Sequence, residues 1–414
     1  MFKGLFDFRQ SFNLKFEILL PIFGFIILGL FVLSSTSLGS NFSMSIFFQS
    51  IFFKHITFLS IGVLVFVISQ YVRIQFLYDY SYIFYILLFF LLFLTIFSRE
   101  IEGSKRWILI GGSIRFQPSE FGKILYILCI SRFLVDNKKN DDFSLYFFIA
   151  LFILILPVLF ILIQPDLGTS MVYLSIILPM LFWSGLSWRK IILLVAPFIS
   201  VLASYNITTF FIWMFIFTAI IISMRPRIYV VISNFLLNFF FGIISPIVWN
   251  NVLLPHQKQR ILIFLNPFSD PYNTGYQLIQ SIISIGSGGF IGKGWGEGSQ
   301  TQLKFLPVRD TDFIMSVMSE EFGFGSIFFV LFLLSTFIFW CVTYAQKVEN
   351  RYASLLIIGL STILFMHMII NLSVISGLLP VTGLPAPFIS YGGSFLLTCT
   401  ITIGLINNII NNYI

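Results

Sequence analysis

The sequence predicts an all-α polytopic membrane protein, and three observations carry that prediction. Hydrophobic residues make up 58% of the 414 positions and charged residues 10%, with a mean hydropathy of +0.97. Apolar runs close to the ~20 residues that cross a bilayer recur along most of the chain. Lys and Arg gather in alternate connections between those runs, the pattern of cytoplasmic loops. A string of soluble domains is excluded on composition. The formal charge of +7 reads as membrane flanks and not as a nucleic-acid surface. Cys129, Cys341 and Cys399 lie far apart in apolar stretches, without CxxC or metal spacing, and read as small packing residues.

The elements follow in chain order. The opening "MFKGLFDFRQSFNLKFE" is charged and amphipathic with no small-residue cleavage site, so no cleavable signal peptide is expected. Spans fall near 17–36, 51–72 and 77–97, then an outer loop at 99–117, then spans near 117–135, 145–163 and 168–185. Spans near 189–204, 208–224 and 228–250 come next. Only "SYNI" separates the first two, so an embedded hairpin or one broken helix fits them almost as well. A large loop at 255–311 precedes the last three spans, near 312–341, 352–372 and 386–411.

Orientation comes from the basic residues. Lys3, Arg9 and Lys15 precede the first span. Arg73, Arg132 with Lys138 and Lys139, Arg189 with Lys190, Arg225 with Arg227, and Lys347 with Arg351 mark the same side. The N-terminus is therefore expected in the cytoplasm, and an even number of spans returns the C-terminus there. Extended slightly, the two outer segments become 99–123 and 255–321, and they hold 19 of the chain's 24 basic and 17 acidic side chains. The cations among them include Lys105, Arg106, Arg115, Lys123, Lys258, Arg260, Lys293, Lys304 and Arg309. Topology alone disfavours cations there, which points to an anionic ligand at the outer surface.

In "GSKRWILIGGSIRFQPSEFGKILYIL", Gly103, Gly111 and Gly112 permit tight turns. Pro118 and Ser119 suit a helix start, with Glu120 in the first turn. Glu120 and Lys123 lie three apart on one face and can pair. A cap with a structural ion pair accounts for these residues; so does a cluster of Arg106, Arg115 and Lys123 around a phosphate. Lys123 favours the second, since a lysine inside a membrane helix is costly without a partner or a polar cavity.

In "LNPFSDPYNTGYQLIQSIISIGSGG", Asp270 sits between two prolines. An Asx-type turn explains it locally, yet long ordered loops are more often functional. Asp270 is also the only acid of the large loop before Glu297, hence the candidate proton acceptor. The GxGG and GKG pieces that follow lack GxxxxGK[ST], so no nucleotide P-loop is supported. Those glycines either bring backbone amides to a ligand or permit bends. Asp312, Glu320 and Glu321 flank the next span as capping, pairing or gating residues, and Lys293, Lys304 and Tyr391 are possible accessory groups. "QPDLGTS" starts a helix capped near Asp166. "GLLPVTGLPAPFISYGGSFLL" breaks a span with Pro380, Pro385 and Pro387, suggesting a groove wall near Ser390, Tyr391, Gly392 and Gly393. His55, His256 and His367 have no metal spacing and read as structural or incidental.

Together, "RWILIGGSIRFQPSEFGK", "QPDLGTS", "QRILIFLNPFSDPYNTGYQLIQSIISIGSGGFIGKGWGEGSQTQLKFLPVRDTDFI", "SEEFGF" and "GLLPVTGLPAPFISYGGS" resemble the bacterial SEDS family (shape, elongation, division and sporulation). They keep the family's order over most of the chain, and 286–307 is closer to the elongation branch than to the division branch. The resemblance implies a peptidoglycan glycosyltransferase of the cytoplasmic (inner) membrane, with an extracytoplasmic active site, that polymerises lipid II and releases undecaprenyl diphosphate. It places the family's essential aspartate on Asp270, its tryptophan after arginine on Trp107, and its QPSExxK residues on Gln117, Ser119, Glu120 and Lys123. Asp270 then serves as base, with Lys123, Arg106 and Arg115 on the diphosphate. A divalent cation (Mg2+ or Mn2+) at the diphosphate is left open, since the acid-poor site offers few protein ligands. A class B penicillin-binding protein and other elongation-complex membrane proteins are the implied partners, and nucleic acid is not. Two features depart from the family: Asp310 stands where histidine is usual, and twelve spans stand where ten are usual. The surplus falls within 189–250 as an inserted helical hairpin on a ten-helix core of a single domain. A lipid II flippase and a non-catalytic scaffold for a transpeptidase are the alternatives.

Overall fold

The structure is a computed structural model that describes residues 5–8, 12–38, 44–98, 105–110, 114–137, 145–225, 228–251, 253, 255–272, 275–303 and 305–414. Lys3, Arg9, Gly103, Gly111, Gly112, Lys138, Lys139, Arg227 and Lys304 lie outside these residues. Helix α1 (Phe16–Leu38) is followed by α2 (Met44–Gln49), α3 (Ile51–Ser69) and α4 (Ile74–Ile96). An antiparallel hairpin of β1 (Ile108–Ile110) and β2 (Ile114–Phe116) leads into α5 (Pro118–Asp136), α6 (Leu145–Ile163) and α7 (Leu167–Trp183). Next come α8 (Trp188–Ala203), α9 (Ile207–Ser223) and α10 (Ile228–Asn251). The large loop holds α11 (Pro255–Leu265), a 3-10 turn (Pro267–Ser269), α12 (Tyr276–Gly288) and α13 (Ser299–Gln302). Helices α14 (Ile314–Lys347), α15 (Arg351–Ile375) and α16 (Gly393–Tyr413) complete the chain.

Each expected span corresponds to one helix. Among the described residues, α1, α3, α4, α10, α14, α15 and α16 are long and apolar enough to cross a membrane, and shorter apolar helices include α7, α8 and α9. The protein is therefore a multi-pass helical membrane protein. The largest difference from expectation is the start of α16, at Gly393 and not near 386. Pro385 and Pro387 offer no amide donors and Phe388 adopts φ 61°, so the helix cannot begin before Gly392. Helix α14 runs 34 residues and is broken at Gly323, whose φ of 73° and ψ of −177° lie outside the helical region.

Burial ranks the helices. In the apolar windows of α15 and α16, 83% and 78% of residues are buried, against 11% in α3, so α15 and α16 form the central pair and α3 faces the lipid. One end of the bundle is tied by asparagines of α16. Asn408 Nδ2 donates to the carbonyls of Ser69, Gln70 and Val72, and Asn407 Nδ2 to Gln70 Oε1 and the Asn13 carbonyl. The opposite end carries the large loop. Helices α8 to α10 have their own small core of Leu193, Ala196, Phe217, Ile221 and Val230. Ser200 donates to Asn238 Oδ1 at 2.7 Å and accepts from Trp213 Nε1 at 2.8 Å, which ties the three helices together. The "SYNI" break is real: Asn206 caps α9 by accepting from the Thr208 amide.

Candidate active site

The QPSEFGK stretch folds as its residue types dictate. Gln117 takes the N-cap position of α5 and Pro118 its first turn, where a missing N–H costs nothing. Ser119, Glu120 and Lys123 then fall on the first two turns, all buried. Lys123 Nζ lies 2.6 Å from Glu120 Oε2, as the i,i+3 spacing predicts, and 2.6 Å from His367 Nε2 on α15. The His367 ring stacks on Phe395 with centroids 4.3 Å apart, and the Phe395 ring lies 5.6 Å from the ammonium. Lys123 is fully buried, so in this conformation it is a floor beneath the site and not a surface cation.

Asp166 organises the layer above. It caps α7 by accepting from the Thr169 amide at 3.1 Å and hydroxyl at 3.0 Å. It also accepts from Gln117 Nε2 at 3.0 Å and pairs with Arg106 at 3.6 Å. Gln117 donates in addition to Ser119 Oγ, and the Arg106 guanidinium lies 5.9 Å from the centre of the Trp107 ring. The charges of Asp166 and Arg106 both reach Glu120. Arg106, Trp107, Gln117, Ser119, Glu120 and Lys123 thus form one contiguous network. Arg115 is exposed on β2, opposite Leu109, and its charge reaches the half-buried Tyr391.

Asp270 stands on a separate segment at the same end of the bundle, half-buried at the end of the 3-10 turn. Its main-chain carbonyl accepts from the Gly275 amide at 3.0 Å, a backbone bond and not the side-chain bond of an Asx turn. A methyl group at Gly275 would lie 2.3 Å from the Pro267 carbonyl oxygen, so only glycine allows so tight a return. Helix α12 then anchors the turn, because Ser281 donates to the Ile375 carbonyl and Ser284 to the Ser316 carbonyl.

The rest of the large loop is held by backbone and by one carboxylate. Lys293 and Gly294 amides donate to the Glu320 and Glu321 carbonyls, while Phe324 and Gly325 amides donate to the Gly289 and Phe290 carbonyls. The glycine run therefore brings its backbone against the broken α14 and permits bends at positive φ. Glu320, fully buried, accepts from Lys293, Ser299, Thr301 and the Gln300 amide. Lys293, considered above as accessory to the ligand, is thereby committed to Glu320 at 2.7 Å. Glu321 accepts from Ser35 and ties α14 to α1, while Arg309 donates to the Thr301 and Thr36 carbonyls and ties the loop to α1. The Asp312 carbonyl accepts from Asn371, the Thr311 carbonyl from Ser390, and the Asp310 carbonyl from the Tyr391 amide. The 310–312 turn and the proline-rich 376–392 segment are thus one packed unit.

Sequence reasoning missed His367. Its spacing predicts only a structural or incidental histidine, whereas it is the second partner of Lys123 across 244 residues of sequence. The signal was present: an ionisable residue inside a membrane helix calls for a partner. Asp166 is the cap its position predicts and is also the anchor of Gln117 and Arg106. Glu120 and Asp166 are committed to these partners, and among the described residues no group of three or more His, Cys, Asp or Glu is placed to hold a metal ion.

Residues 16–211 and 195–413 match the family model described as "Cell cycle protein" and named for FtsW, RodA and SpoVE. The chain is 35% identical over 336 residues to the peptidoglycan glycosyltransferase MrdB of Escherichia coli K12, covering 79% of this chain and 76% of that one. It is 35% identical over 349 residues to the peptidoglycan glycosyltransferase RodA of Treponema pallidum, covering 77% and 80%. In fold it is similar to a chain of a peptidoglycan synthase complex that coordinates polymerization and crosslinking. The TM-score is 0.72 at 22% identity, over 97% of this chain and 99% of that one.

Proposed function

The chain belongs to the FtsW/RodA/SpoVE family, the SEDS proteins, and on that premise we propose that it is a peptidoglycan glycosyltransferase that polymerises lipid II at the outer face of the cytoplasmic membrane. Two of its relatives carry that enzyme name at 35% identity over more than three quarters of the chain. The observation that carries the mechanism is a convergence at one end of the bundle. There the Arg106–Asp166–Gln117 layer lies beside the Lys123–Glu120 pair, and the exposed Arg115 and the Asp270 turn stand on separate segments at that same end.

Asp270 accepts the proton of the attacking sugar hydroxyl as that oxygen bonds to the anomeric carbon. The bond from that carbon to the lipid diphosphate breaks, and its electron pair leaves with the phosphate oxygen. Arg115, exposed, and Arg106, partly exposed beside Asp166, offer guanidinium groups to a diphosphate, and guanidinium suits phosphate through paired donors. Lys123 and Glu120 lie beneath them and set the field in which that charge develops. An Asp carboxylate is an ordinary weak base, so the partly buried setting of Asp270 supports its role by limiting water. The segment 376–392, irregular at the head of α16, is suited to wall a groove for the lipid tail.

Arg73, Arg132, Lys347 and Arg351 lie at the end opposite the large loop, which supports cytoplasmic termini and an outer active site. A class B penicillin-binding protein would cross-link the strands, as the chain has no transpeptidase motif. The test is lipid II polymerisation by the purified protein with that partner, comparing wild type with Asp270→Asn. Glycan ladders from wild type alone are expected. Equal ladders from both overturn Asp270 as base, and ladders from neither, with folding verified, return the flippase and scaffold readings.

A further inference from the structure

The deepest charged group of the site is held by a residue to which the family resemblance gave no role. Lys123 is an ammonium paired with Glu120, and an ammonium only donates hydrogen bonds. His367 Nε2, 2.6 Å away, must therefore accept, which leaves the ring proton on Nδ1. Nδ1 lies 3.4 Å from the Pro385 carbonyl, which only accepts, so that side agrees with the same tautomer. The ring is fully buried, and its face is fixed against Phe395. One neutral imidazole thus joins α5, α15 and the 376–392 segment.

We propose that His367 is a positioning residue for the transfer reaction. Its imidazole sets the Lys123 head group against Glu120 and registers that pair to the loop at Pro385. The inference rests on the glycosyltransferase reading and deepens it: the field beneath Arg106 and the diphosphate is fixed by His367 acting through Lys123. A fully buried ammonium deprived of one acceptor is left with an unmet donor and shifts, carrying Glu120 with it. The shift alters the field beneath the developing diphosphate charge, so the loss is expected in kcat more than in KM for lipid II.

Two polar variants separate the contacts. The amide oxygen of His367→Gln reaches the place of Nε2 and keeps the acceptor for Lys123. The shorter amide of His367→Asn reaches only the place of Nδ1 and keeps the side facing Pro385. Steady-state polymerisation of lipid II by the protein with its transpeptidase partner is expected to show kcat within about threefold of wild type for Gln. For Asn it is expected to fall by about tenfold or more, with KM for lipid II within about twofold in both. Thermal unfolding in detergent serves as the control, and loss is compared between variants of matched midpoint. A double-mutant cycle on unfolding between His367→Asn and Lys123→Met should show coupling, and it is readable for protein without polymerase activity. Equal loss in Gln and Asn, a change confined to KM, or absence of coupling to Lys123 overturns the proposal. Wild type and Asp270→Asn run alongside: ladders from both overturn the base assignment and leave the His367 comparison standing.

Discussion

Lys123 and Glu120 illustrate why a buried ion pair is weak evidence of stability and good evidence of constraint. Removing two charges from water costs several kcal/mol each, and their attraction repays this only when every donor is met. Here the ammonium meets Glu120, His367 and the face of Phe395. Lys123→Met strands the Glu120 carboxylate and is expected to cost about 3–5 kcal/mol in thermal or denaturant unfolding. Adding Glu120→Leu removes the stranded charge and should recover most of that stability. Polymerisation should stay lost in the double variant, and its return together with stability would make the pair a packing device. At this scale the sequence was legible where partners are near in the chain. The Glu120–Lys123 pair and the Asp166 cap follow from spacings of three, but His367 and Asn371 act across tertiary contacts that no local pattern encodes.

The large loop shows how an element can be fixed without much apolar burial. Its glycine run lies against the broken turn of α14 through four backbone hydrogen bonds, and Glu320 gathers the donors that follow. Gly323 makes this possible: its φ of 73° with ψ near 180° is open to glycine alone, and a methyl group there would lie 2.3 Å from the Phe290 carbonyl oxygen. Gly323→Ala is expected to cost about 1–3 kcal/mol and to undock 289–303. Limited proteolysis should then cut within that segment, and glycan ladders should shorten or vanish. Uncut protein with full ladders would mean that the loop's position does not depend on this break. Helix α16 teaches the complementary lesson. Hydrophobicity placed its start near 386, but Pro385, Pro387 and the φ of 61° at Phe388 decide the backbone, so the helix begins at Gly393. The twelve expected spans were legible as apolar runs, seven of them, among the described residues, long enough to cross a membrane; the loop's internal order was not, because it rests on glycine contacts and one buried carboxylate.

Across the whole molecule, sidedness and the α8–α10 unit can be tested apart from chemistry. Cys129, Cys341 and Cys399 are all buried, so the protein offers a quiet background for thiol labelling. Gln302→Cys, exposed at the end of α13, should react with a membrane-impermeant maleimide added to intact spheroplasts. Glu349→Cys, exposed between α14 and α15, should react only after the membrane is opened. The opposite pattern would invert the molecule and put the Asp270 turn in the cytoplasm, where a polymerase of exported strands has no use for it. The α8–α10 unit makes a second division. Its core is separate from the main one, and its polar ties run among Ser200, Trp213 and Asn238. Asn238→Leu leaves the Ser200 hydroxyl without its acceptor inside that unit, and about 1–3 kcal/mol of local stability should go with it. None of these ties touches Lys123, Asp166 or the Asp270 turn, so the kcat and KM for lipid II should stay within about twofold of wild type, an energy difference under ~0.5 kcal/mol. A larger change in rate would show that the unit is coupled to the large-loop end of the bundle through α7.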